Sequence, residues 1–171
     1  MKILVVEDFR AIAKGFSEVL RAQGHDVQCV IGFSDIDKLE AIDIDDQPVT
    51  LTAEAYDFAL VDGQLEQFNG QPDNPIEGPA VVSRLVKSGV VCFGISTEQK
   101  LNAEMVKNGA KNADTKPVSF FAFVHGVVTV EQVVAGDSLA IQRLQDTHTN
   151  INSEAYADRR HQCDDIIKRN F

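Results

Sequence analysis

Residues 2–8, Lys-Ile-Leu-Val-Val-Glu-Asp, decide the reading of the fold. The run from Lys2 to Val6 is continuous and apolar, with no alternation of polar and apolar positions. A strand of that kind is buried on both faces, as in a parallel sheet. It stops at two adjacent acids, Glu7 and Asp8. Those charges also cut the apolar run short of the hydrophobic region of a signal peptide. No other stretch reaches the length of a membrane-spanning helix, so a cytoplasmic protein is expected.

Outward from this strand, two periodicities alternate. Ile12, Phe16, Val19 and Leu20 lie on one face of a predicted helix that Gly24 stops. Val27 to Ile31 and Tyr56 to Val61 read as the second and third strands, the latter ending at Asp62. A helix through Val81, Val82, Leu85 and Val86 stops near Gly89. Val90 to Ile95 is a fourth strand ending at Ser96 and Thr97, followed by a short helix through Leu101, Met105 and Val106. A weak fifth strand leads to Lys116-Pro117. Strands alternating with helices imply a parallel, doubly wound five-stranded sheet with helices on both faces. Functional residues of such sheets gather at the carboxyl ends of the strands, where the strand order reverses.

Two segments depart from the simplest version. The acidic stretch Asp35 to Thr52 reads as a helix or as an added hairpin around Asp46-Gln47. The polar stretch Gln64 to Glu77, with Gly70, Pro72 and Pro75, reads as a surface insertion. After Pro117 comes a helix with Ser119 as its expected cap, carrying Phe120, Phe123, Val124 and Val127. Thr129 to Ala135 and Asp137 to Gln145 read as short helices, and Ser153 to Arg169 as a final amphipathic one. The division expected is residues 1–128 as one domain and residues 129–171 as a helical extension.

The bulk properties set the frame. The 171 residues are 44% hydrophobic and 25% charged, the balance of a globular chain. A net charge of -10 argues against an extended nucleic-acid footprint, which needs clustered Lys and Arg. Cys29, Cys92 and Cys163 are too few and too far apart for a zinc site or a disulfide framework. The histidines are scattered without metal-ligand spacing.

Placed side by side, the strand ends bring together Glu7 and Asp8, Asp62, Ser96 and Thr97, and Lys116. Three crowded carboxylates repel one another and call for a cation, and hard oxygen ligands favour magnesium. Asp62 is the candidate nucleophile for a phosphoryl group, Lys116 its point-charge partner, and Ser96 a hydrogen-bond donor to its oxygens.

The order and spacing of these blocks resemble the response-regulator receiver family of two-component signalling. Val5-Val6-Glu7-Asp8, Ala59-Leu60-Val61-Asp62, Gly94-Ile95-Ser96-Thr97 and Thr115-Lys116-Pro117 carry the resemblance, with Gly109-Ala110 seven residues before Lys116. It spans residues 1–128 and implies a flavodoxin-like fold with Asp62 as phosphoacceptor. It implies Mg2+ held by Glu7, Asp8, Asp62 and the backbone carbonyl of Gln64. Ser96 is the implied switch hydroxyl with Thr97 as fallback, and Pro117 is the candidate for a cis turn. The implied partners are a histidine kinase or phosphotransfer protein, then a downstream protein or a second copy of the chain. Ala113 stands where receivers commonly carry an aromatic residue, and Asp114 follows it. A receiver that acts as an interaction module without phosphorylation is therefore the alternative. A magnesium phosphohydrolase is disfavoured, because Gly63-Gln64-Leu65 offers no second acid two positions beyond Asp62.

Overall fold

The computed structural model describes residues 1–65 and 76–171. Most of the polar insertion expected between Gln64 and Glu77 lies outside the described residues. Five parallel strands form the centre of the sheet: β1 (Lys2–Val6), β2 (Asp26–Asp35), β5 (Phe58–Asp62), β6 (Val91–Ile95) and β7 (Asn112–Asp114). Two more, β3 (Glu40–Asp43) and β4 (Pro48–Thr50), extend the β2 edge as an antiparallel hairpin. The order is β4-β3-β2-β1-β5-β6-β7. The chain therefore reverses direction across the sheet at β1, which puts the switch point beside Glu7 and Asp8.

The hairpin resolves the ambiguity of residues 35–52 in favour of strands. Its turn is held locally: Asp43 Oδ1 accepts from the backbone amides of Asp45 and Gln47 at 2.9 and 2.8 Å. Asp46 takes a left-handed conformation with φ of 62°, which Asp tolerates better than most residues.

Strand pleating sorts the core into two layers. Ile3, Val5, Phe58, Leu60, Phe93 and Ile95 face α1 (Arg10–Ala22) and α4 (Lys116–Val124). Leu4, Val6, Ala59, Val61 and Cys92 face the opposite side, where α2 (Gly78–Lys87) and α3 (Gln99–Lys107) cover them. The hairpin adds Phe33, Leu39 and Ala41 to this second layer.

The C-terminal helices α5 (Val130–Ala135), α6 (Ser138–Asn150) and α7 (Ala157–Arg169) pack on the α1/α4 face. Their Val133, Leu144, Ile151 and Cys163 belong to the same buried cluster as Phe121 and Phe123. Helix α5 begins with a capping box of Thr129 and Gln132, and α6 with Asp137 accepting from Leu139 and Ala140. The last helix starts at Ala157, after a 3-10 turn at Glu154–Tyr156.

Two expectations around Pro117 are corrected. No peptide bond among the described residues is cis, so Pro117 is not a cis turn. It sits in the first turn of α4, where its missing amide hydrogen is not needed and its fixed φ suits the helix. For the same reason α4 starts earlier than Ser119, which is an interior residue whose amide donates to Thr115 at 2.9 Å.

Candidate functional site

Strand register delivers the acids to one place. Val6 pairs with Val30 on one side and Val61 on the other, so Glu7 and Asp62 emerge as neighbours. The ladder continues past the strand end, with Glu7 N donating to Val30 at 3.0 Å. Carboxylate oxygens of Glu7, Asp8 and Asp62 all lie within 4.8 Å of one another. Lys116, at the start of α4, reaches across the sheet with Nζ 2.7 Å from Asp62 Oδ2 and 3.1 Å from Glu7 Oε1.

The surroundings fix these groups. Glu7 is fully buried, and its Oε1 also accepts from the Phe9 amide at 3.1 Å. Its Oε2 is buried without a hydrogen-bond partner among the described residues. Burial, then the charge of Asp62, pushes the Glu7 carboxyl up to about 8 against the pull of Lys116. Burial likewise raises Asp62 to about 6, although Lys116 and the Gln64 amide favour its charged form. Burial alone would lower the Lys116 ammonium, but Glu7 and Asp62 raise it instead.

The charge count shows what kind of ion the residues would suit. With all three acids ionised and Lys116 protonated, the cluster carries two net negative charges in a low-dielectric setting. A divalent cation would neutralise that pair and occupy the orphaned Glu7 oxygen. The donors are all hard oxygens, so the residues present fit an alkaline-earth ion better than a soft transition metal.

The remaining predicted residues separate by position. Ser96 is buried at the end of β6, and its Oγ accepts from the Glu98 amide at 3.1 Å. Its side chain lies directly over Gly63: a Cβ at Gly63 would come within 2.6 Å of Ser96 Oγ. Thr97 is exposed, so Ser96 and not Thr97 is the hydroxyl packed beside Asp62 and Gly63. Gln64 stays at the rim, with its amide donating to Asp62 Oδ1 at 3.2 Å and its side chain to Glu98 at 2.7 Å. Pro117 borders the site without touching the acids through any polar atom.

Three contributors were not singled out from sequence. The Phe9 amide secures Glu7. Gly78 opens α2 against the end of β5, where a Cβ would fall 2.1 Å from the Asp62 carbonyl oxygen. Asp114 Oδ1 accepts from Thr115 N at 2.7 Å and stands 2.6 Å from His148 Nδ1 on α6, tying the C-terminal helices to the edge of the site. Gly-Pro at residues 78–79 was the one sequence signal for a close approach. The Phe9 amide contact is a local turn two residues beyond Glu7, and the Asp114–His148 contact depends on tertiary placement.

No protein-family model matches the sequence, and no curated protein matches it. Solved structures do. A response regulator protein from Burkholderia pseudomallei, solved with a phosphorylated aspartic acid, a calcium ion and citrate, matches with a TM-score of 0.55. The match has 18% identity over 87% of this chain and 74% of that one. This chain has the fold of a response-regulator receiver domain. A response regulator receiver protein from Pseudoalteromonas atlantica matches with a TM-score of 0.51 and 16% identity, over 80% of this chain and 98% of its own. The signal receiver domain of a DNA binding response regulator from Colwellia psychrerythraea 34H gives 0.50 and 14%, over 85% and 98%. The receiver fold and an acidic cluster suited to a divalent metal are thus established together. Among the described residues, no helix is long and apolar enough to cross a membrane.

Proposed function

We propose that this receiver accepts a phosphoryl group on Asp62 from a phosphohistidine of a histidine kinase or phosphotransfer protein, in a Mg2+-dependent step in the cytoplasm. The observation that carries the reading is the buried triad of Glu7, Asp8 and Asp62 bridged by Lys116. Glu7, Asp8, Asp62 and the Gln64 carbonyl would hold the ion, which would shield the negative charge of donor and acceptor alike. An oxygen of Asp62 attacks phosphorus as the P–N bond to the donor imidazole breaks. The imidazole leaves with a proton, and Asp62 becomes an acyl phosphate. Lys116, already on Asp62 Oδ2, balances the charge of the arriving oxygens. The Ser96 hydroxyl, which accepts from Glu98, keeps its own hydrogen to donate to a phosphoryl oxygen.

Residues 1–128 would carry this chemistry and residues 129–171 the helical extension. Output would pass through a changed surface offered to a protein partner or a second copy, with no turnover beyond self-phosphorylation and autodephosphorylation. Incubation with a small phosphodonor and Mg2+ should add one phosphoryl group to the wild-type chain by intact mass and none to Asp62→Asn. Absence of labelling, or equal labelling of the variant, sinks the reading.

A phosphorylation-indifferent interaction module is the second reading. It is favoured by α6, which lies beside Ala113 and Asp114 with His148 on the latter. Beryllofluoride, a phosphoryl mimic, should leave size and partner binding unchanged if that reading holds.

A further inference from the structure

We infer that the seam between α4 and the C-terminal helices binds a small organic acid, an anionic head carried on an apolar body. The seam encloses a cavity of about 500 Å³, within the range that holds drug-sized ligands. Its floor is apolar, formed by Phe121 and Ile151, with Ile12 and Ile167 on the sides. Its polar lining holds two formal cations, Lys116 and Arg160, and two histidines, His148 and His161, with Asp164 as the one acid among the described lining residues.

Arg160 is the anchor. His148 is taken by Asp114, and Lys116 by Glu7 and Asp62. Arg160 is half-buried and forms no ion pair among the described residues, Asp164 included. Its Nη1 donates to the carbonyls of Ile151 and Ser153, the latter at 2.8 Å. A partly desolvated guanidinium with only neutral partners favours a carboxylate, which it can meet with two parallel hydrogen bonds. An inorganic anion would leave the apolar floor uncovered, and an amine would face Arg160 and Lys116. A monocarboxylate with a chain or ring satisfies both parts.

The same wall includes Thr115 and Lys116, so an occupant would touch the residue that bridges Glu7 and Asp62. Binding itself needs neither phosphorylation nor metal, and the test is run without either. The full-length chain, labelled with 15N, is titrated with octanoate, octylamine and acetate. Octanoate should saturate and move the amides of Thr115, Ile151, Arg160 and Cys163, with the other two at least about tenfold weaker. Arg160→Gln should weaken octanoate about tenfold, the worth of one charged hydrogen-bonded pair. That variant also loses bonds that close α6, so Ile12→Phe, which fills the cavity and leaves Arg160 in place, decides the case. It should abolish octanoate binding with the spectrum otherwise folded. Equal binding of octylamine, shifts at residues remote from the seam, or unchanged affinity in both variants would overturn the inference.

Discussion

Glu7 sets the energetics of the site at the level of a single residue. Its ordinary value of 4.5 rises to about 8 in the folded chain, so between those limits the native state holds a proton that the unfolded chain releases. Stability of the metal-free protein should therefore fall as pH rises from about 4.5 to 8. Asp62, raised from 3.8 to about 6, adds a loss of the same sign at the acid end of that window. A divalent cation bound by the triad would compete with those protons and reverse the trend. Thermal melts in chelator should show a lower Tm near pH 8 than near pH 5, and millimolar Mg2+ should raise Tm mainly near pH 8. Glu7→Gln removes the buried charge. It should stabilise the metal-free chain near pH 8 by about 1–3 kcal/mol and blunt the Mg2+ response. A Mg2+ effect that is absent, or equal at both pH values, would mean the triad does not bind the ion as a charge-compensated unit.

Elements reach the site through close backbone approaches, and Gly78 tests this directly. Its amide donates to the Gly63 carbonyl at 3.1 Å, docking the start of α2 on the turn after Asp62. A Cβ there would meet the Asp62 oxygen at 2.1 Å and Gly63 Cα at 2.8 Å, both rigid backbone. Gly78→Ala should cost on the order of 2–4 kcal/mol and slow Asp62 labelling by shifting its strand end. Unchanged melts and labelling would show that α2 can slide without cost. The same scale explains which elements could be read from sequence. Strands β1, β5 and β6 are continuous apolar runs with one reading, and the polar residues at their ends gave the triad and Ser96, while Lys116 follows the short polar β7. Residues 35–52 carry Ile36, Leu39, Ile42, Ile44 and Val49 among acids, a pattern that fits neither period cleanly. Their hairpin is fixed by pairing with β2 and by the Asp43 turn. Ser96 and Thr97 follow the last residue of β6, and of the two Ser96 is buried and Thr97 exposed. The misplaced cap at Ser119 came from reading a hydroxyl as a helix start, whereas its hydroxyl is buried without a hydrogen-bond partner among the described residues.

Across the whole molecule, the C-terminal helices are a third layer of the core and not an appendage. Phe121 meets Tyr156 edge-on at 5.3 Å between centroids, while Cys163, Leu144 and Val133 are buried in the cluster that also holds Phe16, Phe120 and Phe123. Polar ties reinforce the apolar ones. Arg169 Nε donates to Glu18 at 3.2 Å, His125 Nε2 lies 3.0 Å from the Arg159 carbonyl oxygen, and Phe171 packs edge-on against Phe9 beside the acidic loop. The exposed Arg169 pair is worth little, about 0–1 kcal/mol. The buried aromatic and aliphatic contacts are worth far more, since emptying one large aromatic site costs roughly 3–5 kcal/mol. A chain cut after Val128 would leave Phe121 and its neighbours in contact with water. It should lose a cooperative melt or aggregate, as seen by circular dichroism and size-exclusion chromatography. The point variant Arg169→Ala should unfold within a few degrees of wild type. A truncated chain that melts cooperatively at the wild-type temperature would show that residues 1–128 need no help from the rest. The helices would then be free to move in the phosphorylation proposed for Asp62. Loss of folding would instead confine any signalling change to shifts within a packed three-layer core, with Asp114 and His148 as the point where the site and α6 meet.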